Sequence, residues 1–178
     1  MLASSLVLAP AHAQSSTPAS SSPTPPLACA SSAHQAFDFW LGVWEVTASG
    51  QDKPSAVNKI SRDHGGCVIR EDYRTTGGYT GMSMSFYDMK RKTWHQTWMG
   101  ADGGALYIEG GLNESGAMVL SNRNTPYYTE GSPVNRVTWT PNEDGSVRQH
   151  WQSSQDTGKT WATVFDGLYV KRAALLAE

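Results

Sequence analysis

Charge is sparse in this chain and evenly spread. Against 16 Asp and Glu stand 14 Lys and Arg in 178 residues, a net of -2, and neither sign gathers into a block. Nucleic acid and anionic membrane surfaces are held by clustered basic faces, so both are excluded as expected partners. Long apolar runs are missing too: no segment reaches the roughly 20 residues that a membrane-spanning helix needs. No stretch carries a convincing helical period. Histidine is thin, with His12, His34, His64, His95 and His150 showing no His-x-x-x-His spacing, so no metal site is expected. The sequence offers no Cys–His pair, no Gly-x-Ser-x-Gly and no phosphate-cradling glycine loop leading into a helix. Hydrolase chemistry has no foothold, and no cofactor is expected.

Aromatic residues and glycine are plentiful instead: 7 Trp, 7 Tyr, 4 Phe and 17 Gly. Rings that fill an interior and glycines that serve tight turns belong to antiparallel β architecture. The amino terminus is different. Residues 1–13 form a short apolar run ending in Ala11-His12-Ala13, a small-x-small pattern of the signal-peptide type, although no basic residue precedes it. Residues 14–36 are largely Ser, Thr, Pro and Ala, a composition that buries too little apolar area to offset its ordering entropy, and a disordered tether is expected there. About 140 residues remain, enough for one domain with one core. Cys29 and Cys67 are expected to form a disulfide, since an exported chain with a single pair is more often bridged than free.

From residue 43 onward the period is two. Strands are expected near 43–49, 56–63, 67–75, 79–87, 93–100, 105–111, 117–123, 135–141, 147–154 and 161–172. Turn chemistry fills the breaks, as in Gly65-Gly66, Gly77-Gly78, Asp102-Gly103-Gly104 and Asn142-Glu143-Asp144-Gly145. Such links are too short for parallel crossovers, so neighbours pair antiparallel, and closure removes the edges that ten open strands would expose. The expected fold is therefore all-β: a single up-and-down antiparallel barrel of about ten strands over residues 37–172, with a tail at 173–178. Only residues 121–133 are long enough for a mobile flap.

The opening Phe37-Asp38-Phe39-Trp40-Leu41-Gly42-Val43-Trp44 resembles the start of a family of small exported bacterial proteins assigned to the lipocalin-like, or calycin, barrels. The likeness continues through Gly66-Cys67-Val68-Ile69-Arg70-Glu71-Asp72-Tyr73, Gly81 to Asp88, Trp94-His95-Gln96-Thr97-Trp98, Arg136 to Pro141 and Phe165-Asp166-Gly167-Leu168-Tyr169. In calycins the first-strand Trp closes one end of the barrel beneath a basic residue of the last strand, and the resemblance implies that role for Trp44 with Lys171 or Arg172. It also implies export to the periplasm or beyond. The superfamily includes both carriers and enzymes, so the likeness speaks to fold rather than to activity.

Strand parity then sorts side chains into lumen and exterior. With Trp94 and Trp98 inward, Gln96 follows and His95 and Thr97 face out; Trp151 brings Gln149 inward and leaves His150 outside. Tyr73, Trp139 and the face bearing Met82, Met84 and Phe86 complete the expected aromatic and thioether wall, for which plain core packing is the competing reading. Glu71 is in phase with Cys67, Ile69 and Tyr73. Drawn inward without a cation it would hold its proton and could act as a general acid or base; paired with a basic neighbour on the outside it would be structural, and the second arrangement is favoured.

Ser154-Gln155-Asp156-Thr157-Gly158-Lys159-Thr160-Trp161 matches the Asp-box hairpin of β-propellers. It occurs once, so it is read as a turn in which Asp156 accepts backbone N–H bonds, Gly158 takes positive φ and Trp161 packs beneath. Two function classes remain: a barrel holding a small apolar or aromatic molecule, contacted by Glu71, Tyr73, Met84, Gln96, Trp98, Trp139, Gln149 and Trp151, and a cofactor-independent lyase, isomerase or cyclase using the same cavity.

Overall fold

The computed structural model describes residues 28–172. The signal-like segment 1–13, the first part of the expected tether and the tail 173–178 lie outside the described residues. Residues 28–36, expected to be disordered, are ordered: Ser32–Gln35 forms a short helix, α1, and a 3-10 turn follows at Asp38–Trp40. What the Ser- and Ala-rich composition hides is that His34 and Phe37 are buried and that Cys29 is bonded to Cys67, as expected. The closed loop spans 38 residues, for which chain entropy gives about 3 to 4 kcal/mol of stabilisation.

Ten strands then form a closed barrel. They are β1 (Gly42–Ala48), β2 (Ala56–Asp63), β3 (Val68–Thr75), β4 (Thr80–Asp88), β5 (Thr93–Gly100), β6 (Ala105–Leu112), β7 (Met118–Ser121), β8 (Val134–Pro141), β9 (Val147–Ser154) and β10 (Ala162–Lys171). Each pairs antiparallel with its neighbours in sequence, and β1 pairs with β10 to close the ring. Strand β7 stops earlier than its apolar pattern suggests, because Ser121 Oγ accepts from Arg123 N and turns the chain into a 3-10 turn at Asn122–Asn124. The long connection that follows is tied to the barrel at two points. Asn124 donates to the Glu109 carbonyl, and Tyr127 meets Tyr107 at a tilt, 5.1 Å between ring centroids, so this loop lies against the outside of β6.

One end of the barrel is solid. Phe37 stacks on Trp40 at 4.9 Å and meets Trp94 and Trp139 edge-on, and all four are buried. The opening segment is held there by polar ties as well as by its rings. Trp44 donates its indole N–H to the Trp40 carbonyl at 2.9 Å, and Trp94 donates to the Ala33 carbonyl at 3.2 Å. Arg62, on β2, donates to the carbonyls of His34 and Gly66 and pairs with Asp38.

The basic residue above Trp44 is Lys171, not Arg172. Lys171 lies directly opposite Trp44 in the β1–β10 register and places Nζ 5.4 Å from the ring centroid. Arg172 falls one position out of phase, so its side chain turns to the outside and approaches Glu45 at 3.9 Å. The turn read from the Asp-box is present. Asp156 accepts from the backbone of Lys159 and Thr160 and from the hydroxyls of Ser154 and Thr160, Gly158 has φ +97°, and Trp161 donates to the Gly158 carbonyl beneath Arg136. These donors pull the Asp156 carboxyl down to about 2.

Trp44→Ala should cost about 3 to 5 kcal/mol in denaturant melts, the usual loss for a fully buried Trp. Arg172→Ala should stay within about 0.5 kcal/mol, as surface changes do; equal losses would mean that the closed end is not supported as described.

Candidate functional site: an uncharged cavity above a buried carboxyl

Above the solid end the barrel is hollow. A cavity of about 290 Å³ is lined by Tyr73, Thr75, Tyr79, Gln96, Trp98, Leu106, Val137, Gln149, Trp151, Val164, Phe165 and Tyr169. Its wall is built by parity along strands that run from the solid end to the open one. On β5 the inward series is Trp94 in the solid end, Gln96 at mid-height and Trp98 near the mouth; on β9 it is Val147, Gln149 and Trp151. Thus Tyr73, Gln96, Trp98, Gln149 and Trp151 meet in one cavity, whereas His95 and His150 lie on the outer side beside Thr97 and Thr163.

Three expected contact residues are elsewhere. Met84 points outward and is 41% exposed, and Phe86 shares that outer face. The inward residues of β4 are Ser83 and Ser85, both fully buried, with Gly81 above them. Apolar character misled here, because the lumen beside β4 is already filled by larger groups from its neighbours: Ser83 lies opposite Glu71 on one side and Trp98 on the other. Any side chain at Gly81 would overlap the Trp98 ring, so the glycine is what lets that ring lie flat against the wall. Trp139 is inward as expected but belongs to the solid end, edge-on to Phe37 and tilted against Trp40.

The third displaced residue is Glu71. It faces the interior, 3% exposed, and the favoured expectation of a basic partner on the outer face is overturned. Asn58 donates to Oε1 and Ser83 to Oε2, each at 2.6 Å. Burial outweighs these donors, and the pKa rises to about 7. Glu71 is not itself in the cavity wall. It sits one inward position below Tyr73, among Asn58 and Ser83; burial, and after it the charge of Glu71, raises the pKa of Tyr73 and Tyr169. Tyr169 is the link upward: its ring is in the cavity wall, and its hydroxyl donates to Oε1 of Gln149.

Sequence reasoning missed Thr75, Tyr79, Leu106, Val137, Val164, Phe165 and Tyr169. Thr75 follows Tyr73 at the same parity, and Phe165 and Tyr169 share one face of β10, so the signal was present for these. Leu106 and Val137 depend on the pairing of Trp98 with Leu106 and of Val137 with Trp151.

A second polar cluster lies on the outer face. His95 holds Thr97 Oγ1 at 2.9 Å through Nε2 and Glu109 at 3.1 Å through Nδ1, and Arg91 donates to both Glu109 oxygens. Arg91 keeps the Glu109 carboxyl below the usual carboxylate range. The hydroxyl–imidazole–carboxylate order resembles a nucleophile relay, but His95, Thr97 and Glu109 all lie on strands paired within the sheet. The cluster fastens the β4–β5 turn and the loop after β7 to β6.

No helix among the described residues is long and apolar enough to cross a membrane, and no cluster of potential metal ligands occurs among them. Neither a protein-family model nor a curated protein matches the chain. Fold and site together define a closed ten-stranded antiparallel barrel, solid at one end and hollow at the other.

Glu71 gives a pH signature. Unfolded, the carboxyl titrates near 4.5; folded, it titrates near 7, so the native state binds the extra proton between these values. Stability is therefore fully present below about pH 4.5 and is lost as pH rises through 7, by on the order of 3 kcal/mol. Glu71→Gln, which keeps both hydrogen-bond partners and removes the titration, should flatten this part of the profile in urea melts from pH 4.5 to 8. A wild-type profile with the same slope as the variant's would place the carboxyl in contact with water or a cation.

Proposed function

We propose that this protein is an exported carrier that holds one small, mostly apolar molecule in the open half of its barrel. The observation that carries this is the wall itself: a cavity of about 290 Å³ in which every lining residue is uncharged and most are aromatic or aliphatic. Burial of apolar ligand surface at roughly 25 cal/mol per Å² supplies the affinity, and a few amides and hydroxyls orient the guest without the desolvation cost of a charge. The volume lies at the lower end for small-molecule sites, about 300 to 1,000 Å³, and suits a ligand of one or two fused rings. Export is supported by the disulfide and by the leader-like pattern at residues 1–13. The resemblance to lipocalin-like proteins agrees with the same reading.

A second reading has one observation in its favour. Glu71 is a buried carboxyl with no cation beside it and a pKa close to neutrality, the condition in which a carboxyl can both give and take a proton. Catalysis would have to reach the cavity through Tyr169 and Gln149, since Glu71 lies below the wall. Turnover that vanishes in Glu71→Gln while ligand affinity is kept would favour the enzyme.

An uncharged naphthalene fluorophore should bind with about one site per chain, read by fluorescence titration. Gln96→Trp should exclude it by filling mid-cavity. His95→Gln, His150→Gln and Met84→Gln, all on the outer face, should leave its affinity unchanged. Loss of binding in the outer-face variants with none in Gln96→Trp would move the site out of the barrel.

A further inference from the structure

Each of the two glutamines in the cavity wall is held by a hydrogen bond at one end of its amide. On β5, Gln96 donates through Nε2 to Ser85 Oγ at 3.0 Å, and its Oε1 accepts no hydrogen bond from the described residues. On β9 the arrangement is opposite. Gln149 accepts the Tyr169 hydroxyl through Oε1, and its Nε2 donates to none of the described residues. Each amide is anchored by one end, and the other end is left to the cavity that both residues line. In this arrangement Gln96 presents an acceptor and Gln149 a donor. Leaving either unpaired beneath an apolar ligand would weaken binding about tenfold, so the guest that binds best satisfies both.

The two glutamines also stand nearly opposite each other. In the ring order of the strands, β5 and β9 are separated by four steps one way and six the other. A ligand that meets both must span the barrel, with its hydrogen-bonding groups at opposite ends. The rest of the wall, with Tyr73 and Trp98 edge-on at 6.0 Å and Leu106, Val137 and Trp151 around them, selects a flat apolar body between those ends.

Resting on the carrier reading, we infer that the ligand is an uncharged, flat, hydroxyaryl carbonyl type of molecule: a hydroxyl or N–H donor at one end for Gln96 Oε1, and a carbonyl acceptor at the other for Gln149 Nε2. An ionised acid is disfavoured, because no cation lies in the wall to meet it and Glu71 lies just below.

Four naphthalenes of nearly equal size test this: 6-hydroxy-2-acetylnaphthalene with both groups, 2-naphthol with the donor, 2-acetylnaphthalene with the acceptor, and 2-ethylnaphthalene with neither. Their affinities are measured by calorimetry or fluorescence for the full chain and for Gln96→Met and Gln149→Met. The expected pattern is crossed. Gln96→Met should weaken the two hydroxyl-bearing probes about tenfold and spare the other two; Gln149→Met should weaken the two ketones about tenfold and spare the rest. If Gln149→Met fails to fold because Tyr169 loses its partner, Gln149→Met combined with Tyr169→Phe removes both members of that bond and should show the same loss for ketones relative to Tyr169→Phe alone. Equal effects on all four probes, or the reversed pattern, would overturn the assignment of donor and acceptor while leaving the carrier reading in place. Failure of all four, 2-ethylnaphthalene included, to bind the unaltered protein would overturn the carrier reading as well.

Discussion

The packing of Phe37 and Trp40 into one end of the ring is the contact on which the rest of this barrel depends. A ten-stranded sheet that closes on itself encloses more space than its own inward side chains fill, and empty interior forfeits dispersion contacts. Here the deficit at one end is met by a segment outside the sheet. The chain enters at Cys29, runs through α1, and delivers Phe37 and Trp40 onto Trp94, Trp139 and Trp44 before β1 begins. Because that filling comes from a single segment, the opposite end is left hollow. The cavity is thus a consequence of where the plug stops.

A polar layer separates the two halves. Glu71, Asn58, Ser83, Ser85 and Gln96 all face inward at mid-barrel and are buried. Hydrogen bonds join Glu71 to Asn58 and Ser83, and Gln96 to Ser85. Buried polar groups are tolerable only when paired, and pairing demands one geometry. The layer therefore sets the depth of the cavity floor more sharply than aliphatic packing would. Its carboxyl is the costly member, with burial opposing ionisation more strongly than two donors favour it. Pairing is not complete: Asn58 Oδ1 in the layer, and the indole N–H groups of Trp40 and Trp139 in the solid end, are buried without a partner among the described residues.

The architecture was legible to a large degree, because alternation and turn residues are local signals. The spans 56–63, 93–100 and 147–154 coincide with β2, β5 and β9. Parity was legible where a strand carried rings, as at Trp94, Gln96 and Trp98. It failed on β4, where the apolar residues Met84 and Phe86 face out and serines face in: the inward space is allotted by neighbouring strands, and a single strand does not record what its neighbours occupy. Height was not legible either. Trp139 is inward, but whether it packs in the plug or contacts a ligand depends on strand stagger. Glu71 shows a similar limit, since the absence of a cation beside it is a property of β2 and β4, not of β3. The ordered stretch at residues 28–36 was hidden for another reason. Its few anchoring side chains, Cys29, His34 and the Arg62 that grips it from β2, are outnumbered by small residues.

The seam between β1 and β10 sets the order in which this molecule can assemble. Trp44 and its partner Lys171 lie at the two ends of the folded sequence, and β1 has a second hydrogen-bonded neighbour only when β10 arrives. Closure needs all ten strands, so it waits on β10. Through that interval β1 keeps an open edge, and the hairpins from β2 to β9 can pair without completing the lumen. Contacts so distant in sequence are slow to form, and an unpaired edge is where one chain captures another. The β1–β10 pairing therefore removes both open edges at once, and with them the sites at which one copy could pair with another.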